Sequence, residues 1–414
     1  MSASKNQISK AIERLNKNDR ISVLKNSPIP KSNIKASLDF TTTENGLKNR
    51  REQAGELKIL NALDEFTPAD QFKGNIENFI GFSAVPTGVI GPLKVTGSKA
   101  EGDYIVPLAT TEGALVASYN RGASACYLAG GISSICLREG VQRAPVFKFE
   151  TLLQSCEFVI WIETQFQTFT EITLQQTSHG KLEDIKAHVE ANQVTLTFEY
   201  YTGDAAGQNM VTFCTSAICQ YIIEKAPVQP ECWYLEGNFS GDKKANANSF
   251  LGVRGKKVSA EVVLSEEIVK TVLKSTPKKI YEYWKTSTVG VIQTGAIGAQ
   301  GHYANGLAAL FIATGQDVAC VAEAATGITR LELQDDGSLY AAVTLPNLIV
   351  GTVGGGTGLP SQKECLEIMD CYGAGNAVKF AEITAAVLLC GELSIAAALS
   401  AHHFSQAHQQ LGRK

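Results

Sequence analysis

The sequence predicts an α+β fold: a large domain of mixed helix and sheet, a small α+β domain inserted into it, and an N-terminal helical arm. Three observations carry this expectation. The 414 residues are 44% hydrophobic and 19% charged, a globular composition long enough for two or three domains. From Val146 the pattern changes to interleaved strand and helix segments, and near Trp233 it changes back. The first 76 residues are polar and charged, with apolar positions at helical spacing. The expected division is 1–76 for the arm, 77–145 with 234–400 for the large domain, 146–233 for the insertion, and 401–414 for a C-terminal tail.

Net charge is −4, from 37 basic and 41 acidic residues without a long block of either sign, so nucleic acid and anionic membrane are not the expected partners. The ten cysteines lie singly, with no Cys-x-x-Cys pair, which fits reduced thiols in a cytoplasm and gives no zinc-type ligand set. Residues 1–20 lack the apolar segment of a signal peptide. Ile383 to Ala401 approaches membrane-spanning length, but Gly391 and Glu392 at its middle favour a buried helix.

Taken in order, the arm places Leu47, Ala54, Leu57 and Leu60 on one helical face behind a capping-box pairing of Thr41 with Glu44. Ile76 to Leu93 is apolar and punctuated by Gly and Pro, a loop with short strands pressed against other protein, as core or as interface. Tyr104 to Leu108 reads as a strand, and Ala109 to Ala129 as a capped helix of small residues with Glu112 in its first turn. In the insertion, the strand Val146–Phe149 leads to a long helical run, Leu152 to Leu174. Alternation at Val194, Leu196, Phe198 and Tyr200 marks a strand, and a helix runs from Asn209 to Lys225. Beyond it, Val258 to Leu264 alternates as a strand that ends in a Ser265-capped helix, and Tyr303 to Thr314 is helical. Leu331–Leu333 and Leu339–Val343 flank an Asp335-Asp-Gly337 hairpin, and Asn376 to Ser400 is a long Ala-rich helix.

Polar islands interrupt this scaffold. Glu236-Gly-Asn-Phe-Ser-Gly-Asp-Lys-Lys-Ala-Asn-Ala-Asn-Ser-Phe250 has no apolar periodicity and reads as a loop. Its adjacent lysines and aspartate are either a solvated charged turn or a fixed cation aimed at a developing oxyanion. Glu112 lies among small and apolar neighbours, so it is expected to be desolvated, with a pKa raised toward that of a proton donor, although a first-turn glutamate also complements the helix dipole. Arg121 and Arg143 are candidate anion contacts. Gly203 to Met210 links a strand to a helix N-terminus, a place for a phosphate- or amide-bearing cofactor, but it is not the Gly-x-Gly-x-x-Gly fingerprint. Asp317, after a helix C-terminus, is opposed by the dipole and needs a partner, for which a lysine is the natural choice. Three consecutive glycines after Leu348 suggest backbone closely approached by a ligand or another chain. The terminal histidines have no acidic companions, so metal binding is not indicated.

Pro107-Leu-Ala-Thr-Thr-Glu-Gly113, Asp242-Lys-Lys244, Gly315-Gln-Asp317, Gly351-Thr-Val-Gly-Gly-Gly-Thr357 and the terminal histidines together resemble the catalytic portion of hydroxymethylglutaryl-CoA reductases. The form resembled is class I-like, without its membrane anchor, and the match runs in order from Glu77 to His408. The resemblance implies a large domain that holds acyl-CoA, an inserted domain that holds a nicotinamide cofactor, and active sites at the interface of a homodimer or homotetramer. It implies four-electron reduction of a thioester to an alcohol with two NADPH, NADH being the other possibility. By the same resemblance, Lys243 holds the carbonyl oxygen, Asp317 tunes that lysine, Glu112 protonates the aldehyde oxygen and His408 protonates the departing CoA thiolate. Arg143, Lys244 and Asn305 fall where the family contacts substrate; Asp204, Asn209 and Gln316 fall where it contacts cofactor.

Four positions depart from the family pattern. Glu236 stands where a serine is usual, and Thr286 where a substrate-carboxylate lysine is expected, with Lys285 one residue away. Ser178 replaces an arginine that meets the cofactor 2′-phosphate, leaving Lys181 to supply charge, and Gln208 replaces a methionine. The alternatives are therefore a paralogue that reduces another acyl-CoA thioester, or a catalytically silent CoA-binding protein.

Overall fold

The computed structural model describes residues 45, 46, 48, 72, 74–252 and 254–401. Residues 45, 46 and 48 are helical; the rest of the expected arm helices, the Thr41–Glu44 capping box and the tail with His408 lie outside the described residues. Residues up to Ser83 form a unit of their own, in which Phe72 stacks on Phe79 at 4.6 Å between ring centroids and both rings meet Phe82 edge-on.

From Ala84 onward the chain builds one ten-stranded sheet. Strands β1 (Thr87–Gly97) and β2 (Glu101–Ala109) pair antiparallel, and helix α1 (Leu115–Leu128) follows. Strand β3 (Ile132–Arg143) continues into β4 (Val146–Lys148), helices α2 (Leu152–Glu163) and α3 (Phe166–Gln176), strands β5 (Lys181–Glu190) and β6 (Gln193–Tyr201), helix α4 (Gln208–Lys225) and β7 (Cys232–Tyr234). After the lysine loop come β8 (Gly255–Leu264), α5 (Pro277–Thr294), α6 (Tyr303–Thr314), β9 (Ile328–Leu333), β10 (Leu339–Leu348), α7 (Pro360–Ile368) and α8 (Ala377–Ser400). The main strand order is β7-β4-β6-β3-β8-β10-β9.

Two cores sit on this sheet. In β8 and β10 the alternation buries Val258, Ala260, Val262 and Leu264 beside Leu339, Ala341, Val343 and Leu345, all in the first core with α8. Helix α8 is apolar on every face and therefore central. It is long and apolar enough to cross a membrane, but most of it is buried in protein. Its Glu382 accepts from the backbone of Ser98, Lys99, Ala100 and Cys136 and from the Ser98 hydroxyl, which ties the β1–β2 turn to the helix. The second core gathers Phe147, Phe158, Phe169, Leu196, Phe198 and Ile218. Strand β3 serves both: Ser133 to Gly140 pair with β8, and Val141 to Arg143 with β6.

Some elements differ from expectation. Helix α1 begins at Leu115 behind Ala114 (φ 70°), so Glu112 lies in the turn before the helix and not in its first turn. The long helical run from Leu152 breaks at Thr164, whose hydroxyl donates to the Trp161 carbonyl. Strands β3 and β5 and helix α5 carry weaker sequence signals. Strand β5 is mostly exposed and rich in charge, and the alternation of its apolar Ile185, Ala187 and Val189 begins only after a bulge between Leu182 and Asp184. Strand β3 is interrupted by a bulge between Cys136 and Arg138.

Candidate active site

The lysine loop is folded around its charges. Lys243 adopts a left-handed backbone (φ 58°), unusual for a side chain of this size, and its amide donates to Glu323 Oε1 at 3.1 Å. Its Nζ lies 2.8 Å from Asp317 Oδ2. Asp317 sits past Gly315, the C-cap of α6, and its other oxygen accepts from Ala319 N at 3.1 Å as the cap of the 318–320 turn. The dipole conflict expected at Asp317 is thus absent, because the carboxylate caps the next turn; the lysine expected as its partner is Lys243. The hydrogen bond to Asp317 raises the Lys243 pKa above the usual lysine value, outweighing the opposing effect of burial. Lys243 is therefore a fixed cation rather than a base.

Beneath the loop lies a buried ionic network. Arg254 is 2% exposed and donates through Nε to Glu323 Oε2 (2.8 Å), and through one terminal nitrogen to Asp242 Oδ1 (2.6 Å) and Gln208 Oε1 (2.5 Å). Glu323 also accepts from Asn347 Nδ2 at 3.0 Å. Burial pushes the Glu323 carboxyl pKa up, and Arg254 opposes that shift. Arg143 reaches Asp242 Oδ2 (3.2 Å), Glu236 Oε2 (3.3 Å) and Thr212 Oγ1 (3.0 Å). Sequence reasoning missed Arg254, Glu323 and Asn347. The one available signal was a glutamate in the apolar turn Val321–Ala324.

Glu112 and Asn305 make a second pair, with Asn305 Nδ2 donating to Glu112 Oε2 at 2.8 Å. Glu112 is exposed in this chain, so the desolvation expected of it is not found. Asn305 stands near the start of α6 and Asp317 just past its end, separated by about 18 Å at 1.5 Å per residue. Among the described residues no hydrogen bond or ion pair joins Glu112 or Asn305 to Lys243 or Asp317. Lys244 is exposed, with Nζ donating to the Asp242 carbonyl at 2.9 Å. Arg121, a candidate anion contact, instead donates to Ser394 on α8. Thr286 returns its hydroxyl to the Glu282 carbonyl, and Lys285 pairs with Glu282 over the Tyr281 ring.

A cleft of about 450 Å³ opens beside the lysine loop, between residues 205–210, 315–317 and the glycine-rich 351–359. Helix α4 starts at its wall behind Gly207 (φ 80°), with no side-chain cap, so its first-turn amides are available to an anion. Asn209 is exposed in that first turn. Two of the expected cofactor contacts do other work. Asp204 accepts from Gly375 N and Ala377 N at the start of α8, and Gln316 clamps Gly351 in both directions while donating to Thr314 O. Gln316 lines the cleft, and Asp204 precedes Ala205 of its wall. Ser178 is exposed and Lys181 pairs with Glu183. The small residues, open glycine backbone and uncapped helix end fit a phosphate-bearing dinucleotide.

A family model for hydroxymethylglutaryl-coenzyme A reductase matches residues 44–413. The chain is 46% identical over 354 residues to a 3-hydroxy-3-methylglutaryl-coenzyme A reductase of Pyrococcus horikoshii, covering 84% of this chain and 85% of that one. It is 42% identical over 346 residues to the enzyme of that name from Methanocaldococcus jannaschii, covering 82% and 85%. Among solved structures, the fold is similar to a class II 3-hydroxy-3-methylglutaryl-CoA reductase from Streptococcus pneumoniae bound to NADPH in open conformations. That likeness has a TM-score of 0.63 at 18% identity and covers 86% of this chain and 99% of that one.

Proposed function

The chain belongs to the hydroxymethylglutaryl-coenzyme A reductase family, and from that premise we propose that it reduces 3-hydroxy-3-methylglutaryl-CoA to mevalonate and CoA with two NADPH. The reaction feeds isoprenoid precursor synthesis. The observation that carries the reading is the Lys243–Asp317 pair, a cation held on a left-handed turn at 2.8 Å from its carboxylate. Bound in the adjacent cleft, reduced nicotinamide supplies the hydride equivalents that take a thioester to an alcohol. The remaining tasks fall on the chain. Lys243 holds the carbonyl oxygen as negative charge develops on it, and Asp317 keeps that lysine cationic and aimed. Arg143 and Lys244 receive the acyl chain, with Asn305 orienting Glu112. Glu112 gives a proton to the aldehyde oxygen, and His408 gives one to the CoA thiolate.

Asn209 and the α4 N-terminus would hold the cofactor, in a cleft that Gln316 lines and that Asp204 supports from behind. In this reading the first core and its flanking elements hold acyl-CoA and the inserted 146–233 segment helps hold the cofactor. Because Glu112 with Asn305 and Lys243 with Asp317 lie at opposite ends of α6, the reading includes a homodimer or homotetramer in which one copy completes the other's site. It also places the enzyme in the cytoplasm. The test is Lys243→Ala: NADPH oxidation with 3-hydroxy-3-methylglutaryl-CoA should fall by about 100-fold or more, as when a donor to a developing oxyanion is removed, with the circular dichroism spectrum unchanged. Undiminished oxidation in that variant would overturn the mechanism.

A further inference from the structure

The two buried guanidiniums beneath the lysine loop are both engaged by the chain's own carboxylates. Arg254 is divided between Glu323 and Asp242, and Arg143 between Asp242 and Glu236. The contacts are unequal. Arg254 meets its partners at 2.6 and 2.8 Å, the range of charge-assisted hydrogen bonds, whereas Glu236 meets Arg143 through one oxygen at 3.3 Å. Two atoms of that weak pair are left over: Arg143 Nε and Glu236 Oε1 are buried without a hydrogen-bond partner among the described residues. A guanidinium fork binds a carboxylate best through two parallel bonds. Arg143, itself 8% exposed, is therefore an underfilled anion site with a carboxylate resting on its edge.

The substrate of the reaction proposed above carries a free carboxylate at the far end of its acyl chain. Reaching Arg143, that carboxylate would meet Glu236 and Asp242, two charges of its own sign. Asp242 is anchored by Arg254, while among the described residues Glu236 has only Arg143 as a cationic partner. We infer that Glu236 is the specificity-determining residue of this site, yielding Arg143 to the substrate carboxylate and taking up one proton as it does so. The balance is simple: the ion pair passes from Glu236 to the substrate, and one proton from solvent neutralises the displaced carboxylate. The Glu236 side chain is 21% exposed but its Oε1 is buried, so losing its cation makes the charged form costly. The oxygen of Glu236 that accepts from Ser240 Oγ (2.9 Å) and Ala144 N (3.3 Å) keeps those bonds as the carbonyl of the acid. The charged groups around Glu236 are Arg143 from β3, Asp242 and the exposed Lys244 from its own loop, and Arg254 through Asp242; the α4 residues on Arg143, Thr212 and Gln208, are neutral.

The inference rests on the proposed reaction, and its test separates the two. Calorimetric titration of the full chain with 3-hydroxy-3-methylglutaryl-CoA, without reduced nicotinamide and in buffers of different ionisation enthalpy, reads the protons taken up on binding. The wild type should take up about one proton per site at pH 7.5, and the same thioester with its carboxylate methylated should take up none. Glu236→Gln should abolish the uptake, lower the KM about tenfold at pH 8 by removing the like-charge contact, and flatten the rise of KM with pH. Absence of proton uptake by the wild type, or equal uptake by Glu236→Gln, overturns the exchange. A wild type without turnover overturns the proposed reaction instead.

Discussion

Lys243 has two properties that act together: a backbone that points it out of its loop and a partner that keeps it charged. The hydrogen bond that Lys243 donates to Asp317 raises its pKa, so the folded chain holds the proton to higher pH than a free lysine would. The sign follows directly. The cation is present below the raised value and is lost as pH rises through it, so an alkaline decline in kcat/KM set by Lys243 lies above the ordinary value of 10.5. Replacing Asp317 by Asn removes the largest cause of that shift, and the alkaline limb should move down toward 10.5. A pH profile of the variant checks this, and an unmoved limb would show that another group sets the decline. Both side chains are more than a third exposed, so little change in melting temperature is expected. Much of this pair was legible in the sequence, because a dipole-opposed aspartate needed a partner and a lysine on a polar loop could serve as a fixed cation. Arg254 and Glu323 were not legible. Their meaning comes from contacts with Gln142, Gln208 and Asn347, which only the closed sheet brings within reach.

Helix α8 organises the first core, and its fit against α1 sets how closely the two helices approach. At Gly122 of α1 an added Cβ would collide with the Cys390 carbonyl of α8, and at Gly391 it would meet the Tyr119 ring. Gly122→Ala should therefore destabilise the protein by about 1–3 kcal/mol, the usual cost of forcing atoms into a packed core, read as an earlier urea midpoint. An unshifted midpoint would mean that α1 can move aside. Glu382 acts at the same scale. It is fully buried and accepts from four backbone amides and one hydroxyl, so Glu382→Leu strands those donors and should cost about 3 kcal/mol or more. Helices α4, α6 and α8 and strands β6, β8 and β10 were legible because caps, glycines or clean alternation mark them. The start of α1 was misplaced because a left-handed Ala114 has no sequence signature, and β5 went unseen although Ile185, Ala187 and Val189 alternate, because the strand is mostly exposed, rich in charge and bulged between Leu182 and Asp184.

At the scale of the molecule, the cleft depends on two cores keeping a fixed relation. Strand β3 runs through both, but only Val141, Gln142 and Arg143 pair with β6, a short seam by itself. Other ties reinforce it. Thr352 N donates to Asp204 O at 2.8 Å, Ala205 bridges Val353, the Asp204 carboxylate holds the start of α8, and Arg254 of the first core grips Gln208 of α4. Of the residues in these ties Ala205, Val353 and Gln208 line the cleft, so opening the second core also disturbs the cleft wall. The two cores should consequently unfold in one transition. The three tryptophans allow a direct reading: Trp161 and Trp233 pack on the second core and Trp284 on the first. A Trp161→Phe, Trp233→Phe double variant leaves Trp284 as reporter, and Trp284→Phe leaves the other two. After correction for each variant's own stability by circular dichroism, fluorescence midpoints in urea should coincide with the loss of helix in both. A lower fluorescence midpoint in the Trp284→Phe variant alone would mean that the second core opens separately. Affinity for NADPH would then be reduced by the fraction of molecules already open, and the ties around Asp204 would be too weak to hold the cleft.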